Sequence, residues 1–259
     1  MSDYLPFLMG LNDEDKILMN HIMDMKYIVE KNYLPKYTFF LNEKQIALSQ
    51  KMLRFEKFKN FLYYGGYDDA ERKVLCLYSE YDDIDIEDYP IVPITFSYRK
   101  TDKLSHRDFL GSLMSLNITR NTIGDIIVTD SSTVVFLYSS VADIVLNDIS
   151  KIGRTGVKVN TGYDIDLCNI KKYQIITGTV ASLRLDCILS LALKISREKS
   201  RAIISESEIT VNYLPVCKAN YVLKENDIFT VRGFGKFIFA EINGTTKKDR
   251  IYVTIKKFI

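Results

Sequence analysis

The stretch that decides the fold is LKISREKSRAIISESEITVN, residues Leu193–Asn212, because its character changes half-way along. In its first half, Ser196 is suited to cap a helix that carries Arg197 and Arg201, and residues four apart lie on one helical face. In its second half, Ile209–Val211 has the β-branched composition of a strand. A basic helix that leads directly into a strand could bind a phosphate backbone, or it could be a solvated surface helix.

The residues on either side complete a small α-α-β pattern. Before the stretch, Leu183–Asp186 opens another helix whose apolar positions recur at helical spacing, namely Leu185, Ile188, Leu189 and Ala192. After it come turns at Tyr213–Pro215 and Asn226–Asp227 and a strand at Ile228–Arg232. The segment Gly233–Phe237 follows, and its two glycines permit positive φ or a close approach of the backbone to a ligand.

This C-terminal part resembles the S4 RNA-binding domain. The matching pieces are RLD at Arg184–Asp186, SR at Ser196–Arg197, VN at Val211–Asn212, Asp227, and RGFGKF at Arg232–Phe237. The resemblance implies a basic, L-shaped surface, formed by the two helices and the adjoining strand edge, that binds structured RNA. The chain departs from the S4 pattern at Ser207 and Tyr213, where that family often has glycine.

Six basic side chains are the candidate phosphate contacts. Each contact would release condensed counterions, so RNA binding should weaken steeply as salt rises, and an arginine can donate to two phosphate oxygens at once. Alanine at both Arg197 and Arg201 is expected to weaken RNA binding without lowering the melting temperature. The RNA-binding interpretation as a whole predicts that these cations share one side of the module and are not bound by carboxylates. Asp186 fits a salt-bridge or capping role. The six candidates are Arg184, Arg197, Lys199, Arg201, Arg232 and Lys236.

The middle of the chain predicts a β-α-β-β-α-β order, which is the split-βαβ topology and also that of the RNA-recognition motif (RRM). Phe136 and Tyr138 lie two apart on one strand, so they could stack on bases or could alternate as core residues. The topology alone does not establish RNA binding. The predicted elements are the strand Ile91–Tyr98, the helix Ser105–Asn117, the strands Asp125–Thr129 and Thr133–Tyr138, the helix Ser139–Ile149 and the strand Gly156–Asn160.

Within this part, LSHRDFLGSLMSLNITRNTIGDIIV at Leu104–Val128 resembles a signature of the YlmH-type family of S4 proteins. Members of that family also carry an aromatic residue after VN, as Tyr213 does here. Ser105 and Asp108 predict a capping box at the start of the helix. Beside them, His106 and Arg107 resemble a surface that could contact RNA, and they could equally be ordinary polar residues of a helix start.

The YlmH-type resemblance implies an RRM-like middle domain and a C-terminal S4 domain. It implies a non-enzymatic factor that binds the large ribosomal subunit carrying peptidyl-tRNA, in rescue or quality control of stalled translation. The implied partners are structured RNA, namely 23S rRNA and tRNA, and the protein is expected to be a monomer.

The chain is therefore predicted to be an α+β protein of three parts. Residues 1–72 form an N-terminal helical region, residues 73–178 the RRM-like domain and residues 179–259 the S4 domain. Two helices are predicted in the first part, at Asn12–Glu30 and Glu43–Phe61. After a strand at Lys73–Ser79, the acidic run Glu80–Asp88 fits a solvated loop better than a calcium site.

Composition limits what else the chain can be. With 47% hydrophobic and 26% charged residues it is ordinary for a globular protein, and no apolar run reaches the roughly 20 residues that cross a bilayer, so we expect a cytoplasmic protein. From Ser182 to Ile259 there are 14 basic and 8 acidic residues, against 21 and 25 in the remainder, which favours a polyanionic partner. Neither a metal site nor a cofactor is predicted, because the two histidines and the cysteines lack ligand spacing. The cysteines are Cys76, Cys168, Cys187 and Cys217.

Two motifs with enzymatic precedents lack the rest of their sites. His106-Arg107-Asp108 resembles the kinase catalytic triplet, but Leu113 stands where a kinase has asparagine, and there is no glycine-rich loop. RLD also occurs in pseudouridine synthases, where a much larger domain surrounds it. A protein that is not an enzyme is therefore predicted. An rRNA-modifying enzyme like a pseudouridine synthase, a general regulator that binds messenger or small RNA, and a protein scaffold remain the alternatives.

Overall fold

The computed structural model describes residues 11–164, 173–206 and 209–259, so Cys168 and Ser207 lie outside the described residues. The chain divides into two compact units, Met1–Asn169 (unit 1) and Ile170–Ile259 (unit 2). Each unit combines helices with antiparallel sheets, which agrees with the predicted α+β class. The boundary predicted at residue 72 falls inside unit 1, and the three-part division stays a prediction.

In its described residues, the first half of unit 1 has two α-helices and a three-stranded antiparallel sheet. The helices are α1 (Asp13–Asn32) and α2 (Glu43–Phe55), and the strands are β1 (Lys36–Leu41), β2 (Phe61–Tyr64) and β3 (Lys73–Leu77). The side chain of Asn12 accepts a hydrogen bond from the backbone N–H of Asp15 and so caps α1. The strands lie in the order β1-β3-β2.

Helix α2 ends at Phe55, so the end predicted at Phe61 was wrong. Lys57 takes a left-handed conformation with a φ of 55°, and the backbone N–H of Phe58 donates to the carbonyl oxygen of Leu53 at 3.0 Å. These two features close a helix in the manner of a Schellman motif. The chain is then free to turn into β2.

The second half of unit 1 has the predicted β-α-β-β-α-β order. Its elements are β4 (Ile91–Ser97), α3 (His106–Met114), β5 (Ile123–Val128), β6 (Ser132–Tyr138), α4 (Ser139–Asp148), β7 (Lys151–Ile152), β8 (Thr155–Gly156) and β9 (Lys158–Thr161). The four main strands lie in the order β5-β6-β4-β9, and each neighbouring pair is antiparallel. The last strand begins later than predicted because the β7–β8 hairpin precedes it.

The sheet of β4, β5, β6 and β9 packs against other elements on both faces. On one face α3 and α4 close a core that includes Ile94 and Val135. On the other face, residues from the first half of unit 1 pack on Val134 and Phe136, and the ring of Tyr67 stacks on that of Phe136 with centroids 5.1 Å apart. Phe136 is fully buried. Phe136 could have stacked on RNA bases or packed in the core, and the core role is therefore confirmed.

The part of unit 2 that the structure describes forms a six-stranded antiparallel sheet with two helices on one face. Its elements are β10 (Tyr173–Val180), α5 (Leu185–Leu193), α6 (Arg197–Glu206), β11 (Ile209–Val211), β12 (Leu214–Pro215), β13 (Ile228–Val231), β14 (Gly235–Thr245) and β15 (Ile251–Phe258). The strands lie in the order β10-β15-β14-β13-β11-β12. The predicted apolar face of the first helix is confirmed, since Ile188 and Leu189 are buried with Phe237 and Phe239 in one core.

Strand β10 was not predicted. All of its residues pair with β15, from Tyr173 opposite Phe258 to Val180 opposite Ile251. Residues 173–178 therefore belong to the sheet of unit 2, and the boundary predicted between residues 178 and 179 falls inside this strand.

Candidate nucleic-acid interface

At the start of α5, one carboxylate binds three arginines. Asp186 is fully buried. Its Oδ1 accepts a hydrogen bond from Nε of Arg184 at 3.1 Å, and its Oδ2 accepts from Nε of Arg197 and Nε of Arg201, both at 2.9 Å. We call these four residues the arginine cluster. The salt-bridge role predicted for Asp186 is confirmed.

The backbone of α5 and α6 fixes the cluster in place. Arg197 and Arg201 are one turn apart in α6, so both side chains project toward the start of α5. Between them, the buried Ser200 donates its hydroxyl to the backbone oxygen of Asp186 at 2.8 Å. The backbone N–H of Asp186 donates to the carbonyl oxygen of Ala219 at 3.1 Å. The carboxylate is thus held at its main chain, and the arginines that bind it are oriented in advance.

The arginine cluster carries a net positive charge. Burial raises the pKa of Asp186, but the hydrogen bonds from Arg201 and Arg197 and the attraction of Arg197 and Arg184 outweigh it and bring the pKa to about 2. The carboxylate is therefore ionised at neutral pH, and the guanidinium groups outnumber it by two. The side chains of Arg184, Arg197 and Arg201 are 35%, 44% and 50% exposed. Each side chain therefore keeps part of its surface toward solvent, and guanidinium nitrogens that do not bind Asp186 can donate to phosphate oxygens.

The ion pairs differ from what the sequence interpretation assumed. It required cations that were not bound by carboxylates, whereas Arg184, Arg197 and Arg201 all bind Asp186. One carboxylate balances only one of these three charges, so the positive surface persists. Alanine at Arg197 and Arg201 would, however, remove two of the three partners of a buried carboxylate. The expectation of an unchanged melting temperature therefore no longer holds.

Two comparisons with known proteins establish the family. A family model described as "Putative RNA-binding domain in YlmH" matches residues 85–166. The "Ribosome-associated protein quality control protein P2" of Bacillus subtilis (strain 168) is 30% identical over 252 residues, which cover 94% of this chain and 95% of that protein. The chain belongs to the YlmH family. The resemblance inferred from the Leu104–Val128 signature is thereby confirmed.

A solved structure supports the fold of this YlmH-family chain. "Cell division protein ylmH from Streptococcus pneumoniae" matches with a TM-score of 0.51 and 23% sequence identity, covering 60% of this chain and 94% of that one. At this identity the match bears on the fold alone.

The other three cations predicted in unit 2 lie apart from the arginine cluster. Lys199 follows Arg197 by two residues in α6, which is about 200° around the helix axis. Arg232 is exposed in the turn between β13 and β14. Lys236 precedes the buried Phe237 on β14, so the alternation of the strand places it on the sheet face opposite the helices. The prediction that all six cations share one side of this module is therefore wrong.

On that outer face, Lys236 lies between two aromatic rings. Its Nζ is 5.2 Å from the ring centroid of Tyr213 and 4.9 Å from that of Phe258, which is within the range of cation–π attraction. Asn212 and Tyr213 have φ values of 47° and 66° and form the two-residue turn between β11 and β12. The aromatic residue of the YlmH family thus adopts a conformation that glycine would enter more easily.

The two RNA-contact residues predicted in unit 1 lie inside the segment that the YlmH family model matches. His106 and Arg107 are exposed in the first turn of α3. The predicted capping box is present, with the backbone N–H of Ser105 donating to Asp108 at 2.8 Å. Although His106 is largely exposed, partial burial of its imidazole lowers the pKa, and the charge of Arg120 lowers it further. The imidazole is therefore neutral at pH 7 and offers hydrogen bonds rather than charge. Contact of this pair with RNA stays a prediction.

Other kinds of site find little support in the described residues. Within these residues no three His, Cys, Asp or Glu side chains are grouped to hold a metal ion, and no helix there is long and apolar enough to span a bilayer. Cys76 and Cys187 are buried, whereas Cys217 is exposed. Asp186, the aspartate of the RLD motif, is fully buried, and both of its carboxylate oxygens accept hydrogen bonds from arginines.

Sequence reasoning missed two features of this interface. The first is the buried Ser200, whose hydrogen bond to Asp186 joins α6 to α5. In the sequence, the position of Ser200 between two arginines does not indicate this hydrogen bond. The second is the aromatic surrounding of Lys236. The alternation in GKFIFA, residues 235–240, was a signal that Lys236 faces away from the core, but Phe258 comes from β15, and nothing local to Lys236 indicates it.

Proposed function

We propose that this YlmH-family protein is a non-enzymatic RNA-binding factor that associates with the large ribosomal subunit carrying peptidyl-tRNA, in rescue or quality control of stalled translation. The observation that carries the proposal is the arginine cluster, in which one buried carboxylate orients three partly exposed arginine side chains. The name of the Bacillus subtilis relative, which places that protein at the ribosome, supports the setting. The proposed partners are 23S rRNA and tRNA, and the protein acts as a cytoplasmic monomer.

The geometry suits binding to a phosphate backbone. An arginine that is already held by Asp186 loses little side-chain freedom when a ligand binds, so less of the binding free energy is spent on ordering. Its planar group can donate to the carboxylate through Nε and to a phosphate through its remaining nitrogens. Because each phosphate contact displaces counterions, the affinity should fall steeply as salt increases.

We assign the parts of the chain as follows. Residues 179–259, extended by β10, act as an S4 domain and carry the main RNA contact. Residues 73–178 form an RRM-like domain whose sheet face is covered by the first half of unit 1, with Tyr67 stacked on Phe136. Phe136 is therefore not accessible to an RNA base. We assign any RNA contact of this domain to His106 and Arg107.

Sedimentation tests the ribosomal setting. The tagged protein, expressed in cells whose translation is stalled, is expected to sediment with large-subunit fractions of a sucrose gradient at low salt and to leave them at high salt. A variant with Arg197→Lys and Arg201→Lys, which keeps the charge, should sediment with them less. A wild-type protein that stays at the top of the gradient at low salt would rule out the ribosomal assignment.

Crosslinking and sequencing of the bound RNA separates the remaining alternatives. The proposal expects reads concentrated on 23S rRNA and tRNA. Reads spread over messenger or small RNAs would favour a general regulator, and a protein without RNA crosslinks would be a scaffold. Either of these two results would contradict the proposed function.

A further inference from the structure

A cavity of about 430 Å³ in unit 2 borders the arginine cluster. Its walls are the end of β10, the C-terminal half of α5, the start of α6, and Arg250 immediately before β15. Three of its lining residues are cations, namely Lys194, Arg197 and Arg250, and none of its described lining residues is a carboxylate. Arg197 therefore belongs both to this cavity and to the arginine cluster.

Two of the three cations are held in position by the protein. Nε of Arg250 donates to the hydroxyl of Thr179 at 3.0 Å, and its Nη2 donates to the carbonyl oxygen of Thr179 at 2.6 Å. Nε of Arg197 is bound to Asp186. Lys194, in contrast, is an exposed residue that ends α5 in a left-handed conformation with a φ of 54°. Its long side chain can adjust to a ligand that the two arginines receive in fixed positions.

The start of α6 adds to the attraction for anions. The N-terminal end of a helix carries a partial positive charge and exposes backbone N–H groups. Ile195 and Arg197, on either side of the helix cap Ser196, both line the cavity. Cations from three segments and a helix N-terminus thus lie around one cavity. This arrangement suits a phosphate group, and the described lining residues include no carboxylate to balance a cationic ligand.

The tip of the β14–β15 hairpin continues the positive surface. Residues 246–250 connect the two strands, and they contain Lys247, Lys248 and Arg250 against the single acid Asp249. The tip directly precedes Ile251, which pairs with Val180 at the end of β10. The cations of the tip therefore lie next to the segment that forms the cavity wall.

We propose that this cavity binds a backbone phosphate of the RNA, so that a strand in contact with the arginine cluster continues past Lys194 and Arg250 toward the hairpin tip. This inference rests on the proposed function, since it assumes that unit 2 binds RNA. The shared chemistry is that of a phosphate group, which either the RNA backbone or a free phosphate ion can supply, and the experiment separates the two sources.

The test compares Lys194→Gln with a matched control, Lys256→Gln. Lys194 is exposed, so its replacement should not disturb folding, and Lys256 lies on the outer face of the same sheet, away from the cavity. A fluorescein-labelled RNA stem-loop is titrated by fluorescence anisotropy over a series of KCl concentrations, with bulk tRNA as a second probe. We expect Lys194→Gln to bind roughly fivefold more weakly. The slope of log Kd against log salt should fall by about one, as for the loss of one phosphate contact.

The control variant should bind within about twofold of the wild type with an unchanged salt slope. An equal loss in both variants would show a general charge effect and would overturn the inference. So would a Lys194→Gln variant whose affinity and slope match those of the wild type. A second variant, Arg250→Lys, keeps the charge but loses the fork to Thr179, and it should retain most of the salt slope.

A measurement with inorganic phosphate tests whether the cavity is a site for the free phosphate ion instead of the RNA backbone. Melting temperatures of the wild type and of Lys194→Gln are compared in potassium phosphate and in KCl at matched ionic strength. If phosphate stabilised only the wild type while the RNA salt slopes of both proteins were the same, the cavity would be a site for the free ion and the inference would be overturned. If the wild-type protein bound neither RNA probe, this result would contradict the proposed function itself, and the inference that rests on it would be overturned as well.

Discussion

Nε of Arg201 lies 2.9 Å from Oδ2 of Asp186, although the two residues are 15 positions apart and belong to different helices. This contact joins α6 to α5 at their polar edge, while Ile204 joins the same helices through the apolar core. A single carboxylate therefore serves both the stability of unit 2 and the orientation of its positive surface. Changes at Asp186 should affect the two together.

Asp186→Asn is expected to lower the free energy of unfolding by about 2 kcal/mol. Removing one partner of a buried ion pair costs about 3–5 kcal/mol, but these arginines are partly exposed, and solvent screens their mutual repulsion and reduces the cost. Urea denaturation measures the change. Asp249→Asn is the matched control, because it removes a carboxylate from the exposed hairpin tip, and it should leave the stability within about 0.5 kcal/mol of the wild type. Equal stability of the two variants would contradict this role of Asp186.

Acid should destabilise the wild type through the same carboxylate. The folded-state pKa of Asp186, about 2, lies below its ordinary value of 3.8. Because the folded pKa is depressed, the stabilisation is complete above the ordinary value and is lost as the pH falls toward 2. Between about pH 5 and pH 2, the wild type should lose about 1–2 kcal/mol more unfolding free energy than Asp186→Asn, after allowance for solvent screening. Other carboxylates titrate in both proteins, so parallel pH profiles would contradict the assignment.

The sequence predicted those features of unit 2 and of the second half of unit 1 that depend on local pattern. The α-α-β order, the apolar face of α5 and the capping box at Ser105 follow from residues close together in the chain. Strand β10 did not follow, because it is stabilised by pairing with β15, which is distant in sequence. The binding of three arginines to Asp186 also depends on tertiary structure. The spacing of Arg197 and Arg201 shows that they share a helical face, but it does not show which residue that face contacts.

Arg197→Lys together with Arg201→Lys separates the charge of the cluster from its geometry. Lysine keeps the charge and can still pair with Asp186, but a single nitrogen cannot replace the fork of a guanidinium that binds a carboxylate and a phosphate together. We expect the RNA affinity to fall roughly fivefold to tenfold. The melting temperature should fall less than in the double alanine variant, which removes two partners of Asp186. Anisotropy and thermal unfolding measure the two effects. Wild-type affinity in the double lysine variant would show that charge alone suffices.

The packing of the first half of unit 1 on the sheet of the second half could not be predicted. The strand Lys36–Leu41 shows no clear alternation of apolar and polar residues, and its partner β3 lies beyond α2 in the sequence. Its consequence can be tested at Gly124. A Cβ atom there would lie 2.7 Å from the ring of Phe40 and 3.1 Å from the side chain of Phe136. Gly124→Ala is therefore expected to lower the free energy of unfolding by about 1–3 kcal/mol, as overpacking does.

Gly111→Ala in α3 is the matched control for Gly124→Ala. Nothing lies within 4 Å of a Cβ atom at Gly111, and alanine favours a helix over glycine by roughly 0.5–1 kcal/mol. This variant should be as stable as the wild type or more stable. Chemical denaturation of the two variants gives the comparison, and similar stability changes of the same sign would show that the first half of unit 1 does not pack tightly on the sheet.

Lys236→Gln decides which face of unit 2 binds RNA. Lys236 lies on the outer face, between Tyr213 and Phe258, and cannot reach a phosphate that contacts the arginine cluster on the helical side. We expect its RNA affinity to stay within about twofold of the wild type, while the stability falls by about 0.5–1 kcal/mol because two cation–π contacts are lost. The double lysine variant of the cluster, measured with the same RNA, should show the opposite ranking of effects. A loss of affinity in Lys236→Gln larger than that in the double lysine variant would move the RNA-binding surface from the helices to the sheet.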